Sequence, residues 1–365
     1  MLKKHNITFA LLFSMTTLCS QNNYKIAIAK ADSYINAIRT ENEIVGMQYA
    51  VLLNGQLIHQ KEYGYANLEH KVALQKNTVF KLASISKLFS SVALHKLLVA
   101  QNRSIEETLG AFLEDNYTIP SEWKALTLQQ ILSHTSGLPD QIDYGIYLAP
   151  TSEQFVLEAM KNKPFKALPG ETSRYNATGF LLVKLVIEKL AKTSFEQHMQ
   201  EAYFNKYNLR TATYGGFKKI IPNRVQCYQT KNGRLEMFPL NYAPPMYAAA
   251  GLNCTMNDLI VWLQHLLHGD YFPTSLLQKI MTPVTLNNTS AGDFGLGWEA
   301  KKLANGIHYA GHGGAGISSV SHFWGDGLAK DITVIILTNG AKKWKKSPKE
   351  ITAAIATIIA ENTAP

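Results

Sequence analysis

The sequence predicts an α/β fold: one antiparallel sheet assembled from both ends of the chain and flanked by helices, with a helical lobe inserted between its halves. Three observations predict it. Near the N-terminus, residues 46–53 and 56–63 are two β-type runs around Asn54-Gly55, the dipeptide that most favours a tight hairpin turn. Near the C-terminus, residues 306–310, 317–324 and 332–337 read as three further strands. Between these ends, from about residue 92 to 277, the apolar spacing is mostly helical.

Each element follows from a local signal. Residues 24–39 carry helical periodicity ahead of the first hairpin. A short β-like run, 77–82, opens a long apolar helix that reaches about Leu98. Helices at 126–132, 153–161, 177–190 and 257–267 follow, joined by long loops, and 347–360 closes the chain as a helix. No repeat or low-complexity linker interrupts this order. Residues 21–365 therefore read as one catalytic unit, its α/β lobe drawn from about 21–91 and 290–365 and its helical lobe from about 92–289.

Residues 1–20 have the pattern of an export signal: Lys3 and Lys4, an apolar run over 7–18, and the small residues Cys19 and Ser20. That run is too short to span a bilayer, and no other segment approaches the roughly 20 apolar residues a spanning helix needs. A periplasmic or secreted protein is expected, and Cys19 leaves open a lipoprotein instead. Without the signal the net charge falls from +9 to +7, spread along the chain, which favours solubility over a polyanionic partner. The one dense cluster, Lys342-Lys343-Trp344-Lys345-Lys346, reads as a solvated loop. Nucleic acid is not an expected partner, and a monomer is expected. Cys227 and Cys254 permit a bridge without requiring one, and Cys254 reads as a small buried thiol. His265 with His268 and His308 with His312 have helical spacing, but no ligand carboxylate stands beside them, so neither metal nor cofactor is expected.

The chemistry concentrates in three segments. In the first, Ser84-Ile85-Ser86-Lys87, a spacing of three sets Ser84 and Lys87 one turn apart at a helix start. There the helix dipole favours a developing negative charge, and a partly buried lysine can accept the serine's proton. With 20 Ser and 30 Lys in 365 residues, chance alone supplies such a match. A second does occur, Ser121-Glu122-Trp123-Lys124, where a helix-capping serine after Pro120 is the better reading. In the second segment, Ser173-Arg174-Tyr175-Asn176-Ala177-Thr178-Gly179, a phenol and an amide project from a loop before an apolar helix. A tyrosine near ammonium groups can have a depressed pKa and work as acid or base. The third, Gly311-His312-Gly313-Gly314-Ala315-Gly316, is a glycine-rich turn before a strand, open to close approach by a substrate's backbone. An N–H at that edge, with the N–H of Ser84, would make an oxyanion hole.

In order and spacing these segments resemble the serine penicillin-recognising superfamily, in particular class C β-lactamases, the related DD-peptidases and the esterases similar to them. That branch pairs S-x-x-K with Y-x-N and, in many members, H-x-G. Flanking runs resemble the family too: Phe80-Lys81-Leu82-Ala83, Leu132-Ser133-His134-Thr135-Ser136-Gly137-Leu138-Pro139, Gly251-Leu252, Gly295-Leu296-Gly297-Trp298 and Leu337-Thr338-Asn339-Gly340. The resemblance implies a β-lactamase/transpeptidase-like fold with the site in the cleft between the lobes. It implies Ser84 as acylated nucleophile, Lys87 as proton acceptor and Tyr175 as acid/base. It also implies Ser84 and Ala315 as oxyanion donors, and His312, Gly313, Gly314 and Asn176 as substrate-binding residues.

Two departures bear on activity. Ala177 stands where Y-x-N has its asparagine, and Asn176 comes one residue early. His312 replaces a permanent cation with a group largely neutral at pH 7, which weakens any grip on a substrate carboxylate. The expectation is therefore an exported serine hydrolase acting through an acyl-enzyme on an ester, amide or D-amino-acid peptide. Its substrate would be a small molecule or peptide, cell-wall derived among the options, with weak or no β-lactamase activity. A true class C-like β-lactamase, a DD-carboxypeptidase, or a catalytically weak penicillin-binding or sensor protein of this fold are the alternatives.

Overall fold

The hairpin foreseen at Asn54-Gly55 starts the central sheet. The computed structural model describes residues 6–113, 119–146, 151–269 and 273–363, with side chains from residue 24 onward. Helix α1 (Asn6–Asn42) leads into β1 (Gly46–Leu53) and β2 (Gln56–Asn67), and the turn residues between them take φ of 45° and 74°, the left-handed values a two-residue hairpin requires. β3 (Val72–Ala73) pairs with β2 at one edge. Three short strands, β4 (Val79–Lys81), β5 (Thr213–Tyr214) and β6 (Leu252–Thr255), form a separate sheet ordered β4-β6-β5.

The chain's far end supplies β7 (Glu299–Lys302), β8 (Ile307–Gly314), β9 (Ser318–Gly325) and β10 (Ile332–Thr338). β1 lies antiparallel to β10 from Met47 opposite Thr338 to Leu53 opposite Ile332. This joins both ends of the chain in one seven-stranded sheet, ordered β3-β2-β1-β10-β9-β8-β7. β1 is buried along its whole length. Met47, Tyr49, Val51 and Leu53 face α1 and the closing helix, while Ala50 and Leu52 face the opposite core.

The helices match their sequence signals closely. α2 (Ser86–Ala100), α3 (Thr178–Ala191), α4 (Met256–His268) and α5 (Pro348–Thr363) are the long ones after α1. The short helix Leu128–Leu132 starts at a reciprocal Thr127–Gln130 capping box, and Ser152 and Thr255 cap Glu153–Met160 and α4. The stretch Ala83–Ala100 is apolar enough to meet the composition of a membrane span, but 72% of it is buried as the central helix of the larger core.

Some expectations need correction. Residues 311–314, read as a turn, continue β8: a Cβ on Gly311 would sit 2.1 Å from the Val320 carbonyl, so this glycine serves close strand packing. His308 and His312 consequently share a strand, not a helix. Ser121 caps nothing; it opens the 3-10 turn Ser121–Trp123, and its hydroxyl donates to Glu122 Oε2 at 3.2 Å. Cys227 and Cys254 are free, buried thiols. In the basic cluster, Lys342 and Lys343 each lie 3.0 Å from Glu43 at the end of α1.

Asp32 fastens α1 to the outer face of the sheet. It accepts from Tyr49 Oη, lies 3.0 Å from His59 Nε2 and 3.0 Å from Lys61 Nζ, and receives a weaker bond from Tyr63 Oη at 3.4 Å. Burial resists its ionisation, but the combined donors hold its pKa below the ordinary 3.8. A depressed carboxylate adds stability above that value and loses it as acid protonates the group. Asp32→Ala is expected to cost about 1–3 kcal/mol, read as a lowered urea midpoint near pH 7, and the difference should shrink as pH falls below 3.8. Catalytic parameters should stay unchanged, since the clamp lies on the sheet face opposite α2.

Candidate active site

Ser84 sits in the turn Ala83–Ile85, between β4 and α2. Ala83 takes φ of 46°, a left-handed value that costs a non-glycine residue roughly 1–2 kcal/mol. The turn is anchored around this strain. Leu82 N–H donates to Leu252 O at 2.9 Å, Ser86 Oγ to Ala83 O at 2.6 Å, and Leu252 N–H to Ser86 Oγ at 3.0 Å. The Gly251-Leu252 run thus holds the serine's turn from the side.

Lys87 lies one turn along α2 and is 1% exposed. Its Nζ donates to Ala249 O at 2.9 Å and stands 3.4 Å from Ser84 Oγ, above the rings of Tyr175 (4.7 Å) and Phe180 (5.1 Å). Among the described residues no carboxylate comes within ion-pair distance of it. Burial pulls its pKa from 10.5 down to about 7, opposed only by the more distant charge of Asp140. Near neutral pH this amine is therefore poised to take a proton.

Tyr175 completes the group from the loop before α3, its Oη donating to Ser84 Oγ at 2.7 Å. The depressed pKa expected of it is not found. Burial pushes the phenol above its usual 10, outweighing the Ser84 bond, even though 37% of the residue remains exposed. Tyr175 thus keeps its proton, and of the pair only Lys87 is a base near pH 7.

The residues beside it divide differently than expected. Asn176 is buried, with Nδ2 donating to Leu138 O at 2.7 Å and Oδ1 accepting Gly179 N–H at 2.8 Å, so its amide is spent on the entrance of α3. It does not replace the amide missing at Ala177, which is itself fully buried and donates its N–H to Asp140 Oδ2 at 3.1 Å.

The third segment arrives on β8. A Cβ on Gly314 would meet Leu82 O at 2.5 Å, so only glycine lets the strand end lie directly against the serine's turn. Ala315 and Gly316 then turn the chain into β9 at φ of 50° and 71°. His312 is buried beside Tyr175, ring centroids 5.8 Å apart, with Nδ1 2.7 Å from Gly313 O. Burial first, then the charge of Lys87, lowers its pKa to about 4, so it is neutral at pH 7. A Cβ on Gly313 would stand 3.8 Å from Ser318 O, an ordinary contact.

One serine hydroxyl between a buried amine and a phenol, with a left-handed turn at Ala315 alongside, is an arrangement that can carry out acyl transfer. A 360 Å³ cavity between Asn77, Arg210, Lys219 and Asn223 lies apart from this site and does not include Ser84. Two participants escaped the sequence reading. Ala249 acts through a backbone carbonyl, which leaves no side-chain signal. Asp140 follows the Leu138-Pro139 run, and only the fold brings it to Ala177. Among the described residues no cluster of three or more His, Cys, Asp or Glu is placed to hold a metal.

A family model described as Beta-lactamase matches residues 31–357. Penicillin-binding protein 4* of Bacillus subtilis (strain 168) is 24% identical over 270 residues, 67% of this chain and 57% of that protein. D-alanyl-D-alanine-carboxypeptidase/endopeptidase AmpH of Escherichia coli (strain K12) is 24% identical over 250 residues, 67% of this chain and 63% of that one. The chain thus spans less than two thirds of the length of these relatives. Among solved structures, EstCE1, described as a hydrolase with promiscuous acyltransferase activity, superposes with a TM-score of 0.74 at 18% identity, covering 93% of this chain and 99% of that one. This likeness is one of fold.

The position of Lys87 makes a direct prediction. An amine with a lowered pKa is an unprotonated base above about pH 7 and loses that role as pH falls through 7. The rate at which a fluorophosphonate modifies Ser84 should rise about tenfold per pH unit below 7 and level off above it. Lys87→Ala should be slow and flat across the same range, as followed by intact mass.

Proposed function

This chain belongs to the Beta-lactamase family of serine hydrolases, and from that premise we propose that it is an exported enzyme acting through an acyl-enzyme on an ester, amide or D-amino-acid peptide, with weak or no turnover of β-lactams. The observation that carries the reading is the single hydroxyl of Ser84 between Lys87 Nζ at 3.4 Å and Tyr175 Oη at 2.7 Å. Export rests on the pattern of residues 1–20.

In the proposed cycle, neutral Lys87 takes the proton of Ser84 as Oγ bonds to the substrate's carbonyl carbon. The N–H groups of Ser84 and Ala315 receive the oxyanion. Tyr175, still protonated, gives its proton to the departing oxygen or nitrogen and regains one from Lys87. A water then yields its proton to the same pair and its oxygen to the acyl carbon, and Ser84 leaves with a proton.

Substrate preference follows from what the site lacks. Ala177 offers no amide to an acylamino carbonyl, and Asn176 is committed elsewhere. That missing bond is worth about 0.5–1.5 kcal/mol. A neutral His312 in place of a cation removes attraction for the carboxylate that penicillins and cephalosporins carry. Small activated esters need neither contact. The name of the Escherichia coli relative makes a D-alanyl peptide the first amide to try.

Short-chain p-nitrophenyl esters should therefore be hydrolysed with a higher kcat/KM than cephalosporins or penicillins. Ser84→Ala should abolish both activities, and Ala177→Asn should shift the ratio toward the β-lactam. A wild-type enzyme that already prefers cephalosporins over activated esters would overturn this reading of specificity.

A further inference from the structure

His134 belongs to a run that the acyl-transfer chemistry leaves without a role, and the structure places it wholly buried behind Tyr175. Two of its atoms hold the backbone on either side of the tyrosine. Arg174 N–H donates to His134 O at 2.8 Å, and Asn176 N–H donates to His134 Nδ1 at 3.0 Å. The imidazole also packs against the phenol ring itself, centroids 4.7 Å apart at 40°, and against Phe294 and Phe180 at 4.5 and 5.5 Å. One residue thus grips Tyr175 before it, after it and across its ring, while the phenol oxygen at the far end meets Ser84.

The backbone of His134 shows that the residue is not there by default. It follows the short helix Leu128–Leu132 with φ of 58°, the left-handed conformation in which helix ends usually carry glycine or asparagine. A histidine accepts about 1–2 kcal/mol of strain there. Glycine would relieve the strain but could not accept the Asn176 N–H. The bond also fixes the tautomer, because Nδ1 can accept only if the ring is neutral with its proton on Nε2. Burial first, then the nearby ammonium of Lys87 when it is protonated, keep the ring in that neutral form.

We propose that His134 is the positioning residue for Tyr175: by accepting the peptide N–H groups on both sides of the tyrosine and packing against its ring, it sets the phenol oxygen at bonding distance from Ser84. This rests on the reading of Tyr175 as the acid/base of the acyl-transfer step. His134 itself touches neither nucleophile nor substrate.

The test compares two variants that both tolerate a positive φ, His134→Gly and His134→Asn, of which only asparagine presents an acceptor near the Nδ1 position. With 3-fluorotyrosine at position 175, the fluorine resonance should stay sharp and near its wild-type shift in His134→Asn. In His134→Gly it should broaden and move toward the free amino acid. Hydrolysis of a p-nitrophenyl ester should fall about 10²-fold in His134→Gly, in kcat more than in KM, with asparagine recovering at least tenfold of that loss. In a Tyr175→Phe background the glycine substitution should cost no more than about twofold. A fluorine resonance unmoved by His134→Gly, or losses that multiply in the double mutant, would overturn the proposal. Absence of ester turnover in the wild type would strike the functional reading instead, and the fluorine result would still decide the role of His134.

Discussion

A buried lysine without a counter-charge is the constraint on which this site rests. The chain buries Lys184 too, but pairs it with Glu153 and Glu188 at 2.8 and 2.9 Å, which outweigh burial and raise its pKa. Among the described residues Lys87 has only the Ser84 hydroxyl, a carbonyl, two ring faces and a distant Asp140, so burial prevails and its pKa falls to about 7. One residue type in two settings gives a structural cation and a base. Keeping Lys87 uncharged also explains its company: a nearby carboxylate would hold the proton on it, whereas Tyr175 and Phe180 exclude water without doing so.

The rest of the architecture brings distant segments to that amine. α2 and the turn before it carry Lys87 and Ser84 into the larger core, and the short helix Tyr247–Ala250 before β6 offers Ala249 O. Antiparallel pairing of β1 with β10 places the chain's last strands beside its first, so β8 can end against the serine's turn. Three non-glycine residues near the site, Ala83, His134 and Ala315, hold left-handed backbone conformations. Strain of this kind persists where packing over-determines the backbone, and here it flanks Ser84, Tyr175 and the proposed oxyanion donor.

Much of this was legible in the sequence because it rests on local signals. Asn54-Gly55 fixed the first hairpin, helical apolar spacing marked α3 and α4, and the spacing of Ser84 to Lys87 put both within one helical turn. What escaped depends on burial and long-range contact. A tyrosine near a lysine suggests a depressed pKa, but surrounding protein mass reverses the sign for Tyr175. Glycines at 311–314 look like a turn, yet Gly311 answers to Val320 on the next strand and Gly314 to Leu82, far away in sequence. Asn176 looks available for substrate until Leu138 O and Gly179 N–H are found to occupy it.

The central claim is that Ser84 alone becomes acylated, through an amine made basic by burial. The most direct measurement is intact mass followed by peptide mapping after brief incubation with a p-nitrophenyl ester, and separately with a fluorescent penicillin. A single acyl adduct on the peptide carrying Ser84 is predicted, forming in Lys87→Ala only slowly and at a rate that does not change with pH. An adduct on Ser121, or one that forms on Ser84 at the same rate without Lys87, would contradict the account.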